Sequence, residues 1–454
     1  MKIKKTLQMF RKMKVLNAAF GAAVFILIFC FYCSCNKNKD KHVYPEPAAG
    51  CAFFTQDYAL LQTQSAQQLS EYLSSEHFEY DLDGWFFFGN LVDNAAPDDI
   101  MVFFIAVQRI EMSYNGFRAP VVPAIVAFSN DSLGKYEWRG FVTLDMDSLM
   151  TVTSNPWNVT LNSPFPVEPL ITMSLISGSM GAADAVYSLT ADIPDFNGVR
   201  LQAEVQLCDR LGVVNQGYGS ASFFPQYLTE EQRAQIMGSS VRTVSNYLEA
   251  TGDPMSCQGS YYYSLPLMDV EQFSIKLDDT ISLSNGSDGL MWMDYVVQSY
   301  DQRASEVFSN ASWDFYAIQL PEANAAIMVI EINSETGSLP IATLFRYDSD
   351  RTLNSARKAV HSWAINEIDI YHVPGTEWKS PKSGLNYAMQ HHIQLTSTDY
   401  SADLTIKMVR EDQEIVIDST KIKYEGLGSV EGTLGGLPVT GQAFVEIQPA
   451  GGLK

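Results

Sequence analysis

Charge is scarce in this 454-residue chain: Asp, Glu, Lys and Arg together make up only 18% of it. The basic share is the smaller, 30 Lys+Arg against 52 Asp+Glu. Six of those bases (Lys2, Lys4, Lys5, Arg11, Lys12, Lys14) lie within the first 34 positions, where there is no acid. Beyond that segment 24 basic residues face 52 acidic ones, so the net charge of -22 becomes -28. A surface so acidic repels phosphate backbones, and no nucleic-acid partner is expected. Histidine is also rare: His42, His77, His361, His372, His391 and His392 are the full set. His391 and His392 are adjacent, so on a strand they face opposite ways and cannot chelate one ion together. The chain has no Gly-x-Ser-x-Gly elbow, no Walker A loop and no His-Glu-x-x-His helix. Serine-triad, phosphate-loop and zinc-hydrolase chemistries therefore lack their signatures. Asn285-Gly286-Ser287-Asp288-Gly289 offers oxygen atoms to a cation but reads as a hairpin turn. No metal and no cofactor is expected.

Hydrophobic residues make up 46% of the chain, with 22 Tyr, 25 Phe and 7 Trp. That excludes a disordered protein, and the length suits two domains. Lys2 to Lys14 form a positive n-region, and Val15–Phe31 is an apolar run broken only by Asn17, which is the grammar of a secretory signal. The run ends in Tyr32-Cys33-Ser34-Cys35 and is followed by polar Asn36-Lys37-Asn38-Lys39. A small residue just before a cysteine resembles the bacterial lipobox, with cleavage after residue 34 and acylation of Cys35. An uncleaved anchor is the other reading, since 17 apolar residues is near the lower limit for a span. Either version tethers the chain to a membrane. Residues 35–56 then carry the lipidated cysteine and a tether. Some Gram-negative lipoproteins carry an acidic run after the cysteine that sends them to the cell surface; here the run is basic, which favours the periplasmic face of the outer membrane as the expected location. Cys51, Cys208 and Cys257 remain, and a Cys208–Cys257 bridge suits an oxidising compartment.

From about residue 83 the pattern is that of strands. Val199, Leu201, Ala203, Val205 and Leu207 alternate with Arg200, Gln202, Glu204 and Gln206; Leu404, Ile406 and Met408, and Ile415 and Ile417, repeat the period. Trp85-Phe86-Phe87-Phe88 and Met101–Val107 are continuous apolar runs that suit strands covered on both faces. Gly435-Gly436 and Pro374-Gly375 mark turns. Two segments read as short helices, Asp57–Ser75 and a capped one from Thr229 to about Leu248. The Gly252-Asp253-Pro254 break then divides the body into 57–254 and 255–454. The expected class is all-β.

Aromatic and acidic residues cluster in order along the second half: Tyr261-Tyr262-Tyr263-Ser264, Trp292-Met293-Asp294-Tyr295, Trp313-Asp314-Phe315-Tyr316 and Thr376-Glu377-Trp378-Lys379-Ser380-Pro381. Tyr424-Glu425-Gly426 and Gly441-Gln442-Ala443-Phe444-Val445-Glu446 follow. Trp292 and Asp294 lie two apart and share one face of a strand. If that face is a dry barrel interior, desolvation raises the pKa of the acid and prepares it as a proton donor. The alternative is an Asp that caps a turn or pairs with a core Arg.

With Asp83-Gly84-Trp85-Phe86-Phe87-Phe88-Gly89-Asn90-Leu91 and Trp378, Ser380, Pro381, Gly384 and Tyr387, this order resembles the lipocalin-like family of AttH-like proteins and hydroxyneurosporene synthase (carotenoid 1,2-hydratase). The resemblance implies two lipocalin-like β-barrel domains packed together, with an apolar cavity near their junction. It implies ligand contacts at Trp85, Tyr263, Trp292, Trp313, Trp378 and Tyr387, and a general acid at Asp294. Where many relatives continue Trp-x-Asp with a His-containing polar stretch, this chain has Tyr295-Val296-Val297-Gln298. Three functions are consistent with these readings. The first is a membrane-anchored protein that binds an apolar or amphiphilic small molecule. The second is a hydratase or cyclase acting on an olefin, and the third a structural or interaction lipoprotein whose barrels are filled.

Overall fold

A computed structural model describes residues 74, 82–114, 117–130, 137–144, 149–163, 168–215, 260–278, 281–298, 312–334, 337–346, 361–363, 365–398, 400–418 and 421–449. The signal segment, Cys35, the tether, Cys51, Cys257 and the Gly/Pro break lie outside them. So do both segments read as helical, Ser74 excepted. The described chain is all-β.

The first sheet holds thirteen strands. They are β1 (Leu82–Val92), β2 (Ile100–Tyr114), β3 (Phe117–Ser129), β4 (Glu137–Leu144), β5 (Met150–Ser154), β6 (Trp157–Asn162), β7 (Pro169–Ser177), β8 (Val186–Phe196), β9 (Val199–Asp209), β10 (Val214–Asn215), β11 (Ser260–Leu277), β12 (Ile281–Gly286) and β13 (Asp288–Gln298). Its order is β4-β3-β2-β1-β13-β11-β9-β8-β7-β6-β5, with β10 and β12 also on β11. The second sheet takes β14 (Ser312–Leu320), β15 (Ala325–Ser334), β16 (Gly337–Arg346), β17 (His361–Ser362), β18 (Ile368–His372), β21 (Gln390–Leu395), β22 (Ala402–Met408), β23 (Glu414–Asp418), β24 (Lys421–Leu434) and β25 (Leu437–Gln448). A small hairpin, β19 (Glu377–Lys379) and β20 (Asn386–Ala388), stands beside it. The first sheet is a nearly closed barrel and the second a half-barrel.

The alternation in β9 is realised: Leu201, Ala203, Val205 and Leu207 are buried while Arg200 and Glu204 are exposed. Strands β1 and β2 are buried on both faces, as their unbroken apolar runs require. Gly435-Gly436 forms the β24–β25 turn with φ of +59° and +76°, the left-handed pair that a two-residue hairpin demands. Asn285–Gly289 departs from the hairpin reading. β12 and β13 both run along β11, so this stretch is a kink between two segments pairing one partner. The change of sheet falls between Gln298 and Ser312. Strands β11 to β13, which a division at 254/255 assigns to the second unit, fill the gap between β1 and β9 in the first. Local composition marks a turn, but only strand pairing decides which sheet receives the next segment. Cys208 is a free, half-buried thiol on β9.

Three apolar layers result. Trp85, Phe87, Phe103, Trp157 and Tyr187 fill the barrel. Tyr316, Ile318, Ile393 and Leu404 belong to the layer inside the half-barrel. Between the sheets lie Phe88, Phe104, Trp292, Phe315 and Phe444. Side-chain amides bind the sheets across this middle layer. Gln319 on β14 donates Nε2 to the carbonyls of Pro266 (3.0 Å) and Met291 (2.8 Å). Gln442 on β25 donates to Leu290 O (3.1 Å) and to Gln319 Oε1 (2.8 Å). Arg410 adds bonds to Ser129 and to Ile100 O. β14 and β25 approach so closely that a Cβ at Gly441 would stand 1.9 Å from Gln319 O. Replacing Gln319 by Leu takes the side-chain donor from the carbonyls of Pro266 and Met291 and one of two acceptors from the Gln442 amide. It is expected to lower stability by about 2–4 kcal/mol, read as a shift of the urea midpoint at unchanged slope.

Candidate functional site

β13 alternates between the barrel core and the middle layer. Met291, Met293 and Tyr295 point into the barrel, whereas Trp292 and Val296 point outward. Asp294 shares the outward face of Trp292, as their spacing predicts. That face is the junction between the sheets and not a barrel interior. In register, Asp294 lies opposite Phe86 of β1 and Ser264 of β11.

Asp294 is 2% exposed and accepts three hydrogen bonds. Trp292 Nε1 donates to Oδ1 at 2.6 Å, Ser264 Oγ to Oδ1 at 2.5 Å, and Tyr262 OH to Oδ2 at 2.5 Å. Burial drives its pKa up to about 7; the three donors oppose that rise, and Glu446 reinforces it. Desolvation dominates because the surroundings are aromatic. Phe88 has Trp292 at 6.4 Å, Phe315 at 6.3 Å and Phe444 at 4.5 Å between ring centroids. Tyr262 faces Phe315 at 6.4 Å.

The second sheet supplies the opposing wall. Glu446 on β25 pairs in register with both Phe315 on β14 and Glu425 on β24. Two carboxyl groups therefore meet across one strand pair. Lys423, two residues back along β24, lies against Glu425 and 3.5 Å from Glu446. Burial, together with Glu446, pushes Glu425 up to about 8 against the pull of Lys423. Trp313 Nε1 donates to Glu446 at 3.2 Å. Phe86, Tyr262, Trp313, Lys423 and Glu446 are only half-buried, whereas Trp292, Ser264, Asp294 and Glu425 are fully covered. The half-buried set therefore lies toward solvent and the covered set beneath it, within the packed layer between the sheets.

The expected ligand contacts divide into three places. Trp292 and Trp313 belong to the junction. Trp85 and Tyr263 face the barrel interior, where both stack with Tyr295 at 5.1 and 6.0 Å. Trp378 and Tyr387 stack on each other at 6.1 Å in the β19–β20 hairpin. Tyr387 OH donates to the buried Glu414 at 2.7 Å, as Ser380 and Ser383 do at 2.5 Å. That cluster clasps a hairpin. The Tyr387 ring meets Tyr424, on the face of β24 turned away from Glu425. Sequence reasoning chose Tyr263 from Tyr262-Tyr263-Ser264, but its neighbours hold the acid. Period two makes Tyr262 and Ser264 a pair, yet only the register against Asp294 shows which face they share. Period two puts Lys423 on one face with Glu425, but only the β24–β25 pairing brings Glu446 to both.

Among the described residues no group of three or more His, Cys, Asp or Glu side chains is gathered for a metal ion. His391 is buried with Nδ1 3.1 Å from Tyr316 OH, and burial, then the neighbouring His372, push its pKa down to about 4. His372 bonds Asp314 at 2.7 Å, which raises its pKa. His392 points the other way, to Asp403.

No protein-family model matches the chain, and no curated protein matches its sequence. Solved structures match its fold. A candidate AttH of Nitrosomonas europaea is 18% identical with a TM-score of 0.56, covering 84% of this chain and 95% of that one. Kievitone hydratase of Nectria haematococca is 13% identical with a TM-score of 0.50, covering 80% and 88%. The architecture is therefore the lipocalin-like one of the AttH structure.

The folded state holds the Asp294 proton more tightly than the unfolded chain does, with the pKa moving from 3.8 to about 7. Its stabilisation is complete below pH 3.8 and declines as pH rises through about 7. Glu425, moving from 4.5 to about 8, adds a decline of the same sign. Urea denaturation at pH 4.5, 6 and 7.5 is expected to show falling stability, with the slope reduced in Asp294→Asn.

Proposed function

We propose that the chain is an envelope-anchored catalyst of the hydratase or cyclase type. It takes an apolar or amphiphilic small molecule at the junction of its sheets and uses Asp294 as the general acid. One observation carries this reading: a covered carboxyl group in an aromatic layer, cradled by three donors, with its pKa near neutrality. A carrier needs no such acid: burying a carboxyl costs stability even with donors, and perturbed carboxyl groups concentrate where chemistry is done. Protonation of an olefinic carbon would leave a cation beside the π faces of Trp292, Trp313 and Tyr262. Water then adds and returns a proton to the Asp294 carboxylate, or an internal double bond closes a ring and the new cation gives a C–H proton back to that carboxylate. That one fold neighbour is named a hydratase is in keeping with this reading. The junction is the place proposed for binding because the covered acid faces it, with Phe86, Tyr262 and Trp313 half-exposed beside it.

The tether extends the proposal. Acylation at Cys35 would hold the catalyst at the periplasmic face of the outer membrane, where apolar substrates partition. Native mass spectrometry of the mature chain from its own membrane tests both parts. A diacylated or triacylated N-terminal cysteine and a bound apolar mass are expected. An unmodified chain with no bound mass would leave the structural role of a filled protein. With the identified compound in hand, Asp294→Asn is expected to retain binding and lose turnover by about 10²–10⁴-fold, measured as separate Kd and kcat.

A further inference from the structure

We infer that the free edge of the half-barrel, strand β18, is held by a latch, His372 on Asp314, that loosens when His372 loses its proton. The latch is independent of the junction and concerns how the second sheet is kept shut.

The order of that sheet leaves β17 at one end and β18 at the other. The sheet curls until β18 lies near β16, yet among the described residues β18 pairs with β21 alone. Side chains must therefore hold its bare side. Ile368 and Ile370 enter the apolar layer inside the half-barrel. His372, on the same face by the two-residue period, crosses instead to β14, where its Nε2 lies 2.7 Å from Asp314 Oδ2. Along the sheet β25, β24, β22 and β21 stand between β14 and β18. One side-chain bond thus spans a distance that the backbone ladder covers only the long way round. The Asp314 side chain is 11% exposed and that of His372 is 51% exposed. The latch has a fixed inner half and an outer half that exchanges protons with solvent.

The surrounding groups make this a one-proton device. The hydrogen bond to Asp314 raises the His372 pKa above its ordinary 6.5; burial opposes the rise, and Glu331 adds to it. Glu331 is on β15, opposite Asp314 in register. His391 on β21 is opposite His372, their ring centroids 5.1 Å apart. It is fully buried and its Nε2 has no hydrogen-bond partner. With nothing there to answer a charge, burial and then His372 push its pKa down to about 4, so it stays neutral while His372 titrates. Tyr316, which shares the face of Asp314 on β14, is pushed up by burial and stays neutral too. The inner faces of β22, β24 and β25 add Ile406, Val430 and Ile447, which carry no charge. A histidine whose pKa is raised by folding stabilises fully below 6.5, and that contribution is lost as pH rises through the folded value. The edge is therefore firm in mild acid and looser in mild alkali.

Hydrogen–deuterium exchange of the full chain at pH 6.0 and 8.5, with times scaled to the intrinsic rate at each pH, tests the latch. Peptides of β18 are read against those of β9 in the barrel. The protection of β18 relative to β9 is expected to fall about two- to fivefold from pH 6.0 to 8.5. His372→Gln and Asp314→Asn should show the low ratio at both pH values. An NMR titration of the His372 Cε1–H on the unaltered chain serves if those variants do not fold. Its midpoint is expected above 6.5 and at the pH where β18 loses protection. An unchanged ratio overturns the latch and leaves a static clasp. A fall that persists in His372→Gln overturns it, because the proton then acts elsewhere. A His372 midpoint at or below 6.5 overturns it as well.

Discussion

The constraint on which the rest of the structure depends is that β1 and β2 are apolar on both faces. One face fills the barrel. The other, with Phe88 and Phe104, must be covered by something other than water, since apolar area is stabilised at roughly 25 cal/mol per Å² removed from solvent. The second sheet answers that need with Phe315 and Phe444.

Once two sheets close over an aromatic layer, any polar group caught between them must be satisfied there. Gln319 and Gln442 meet this by bonding first-sheet carbonyls, among them Pro266 O, which lies where the β11–β13 pairing shifts between Leu265 and Met268. Asp294 meets it with three donors, and Glu425 with Lys423. The same dryness that makes these groups costly moves their protons toward neutral pH. The stability of the junction and the protonation of its acids are thus set by one layer, in which the amides bind the sheets at one place and the carboxyl groups lie at another.

The polar clusters away from this layer have other duties. Glu414, gathering Ser380, Ser383 and Tyr387, secures the hairpin that carries Trp378. The pair His372–Asp314 stands at the edge of the half-barrel beside His391 and Tyr316. Motif residues that look alike on paper, Trp292 and Trp378, therefore act in different places, one against a buried acid and the other on a clasp.

Much was legible in the chain. Alternation in β9 and β22, the doubly buried runs of β1 and β2, and the Gly435-Gly436 turn follow from local sterics and side-chain period, which act within a few residues. The shared face of Trp292 and Asp294 follows from the same two-residue period. What alternation cannot say is which face meets which neighbour. Whether Asp294 looks into a barrel or onto a second sheet, whether Tyr262 or Tyr263 reaches it, and whether Glu446 meets Glu425 and Lys423 are all settled by strand register. Register is a long-range choice made by the burial of whole faces. The membership of β11 to β13 in the first sheet is of that kind too, since Gly252-Asp253-Pro254 marks a break in the chain without choosing a partner. By itself, then, the sequence determined the strands, their faces and the acid. The tertiary structure alone decided that the acid lies between two sheets, because only packing brings a second wall of charge and aromatic rings to face it.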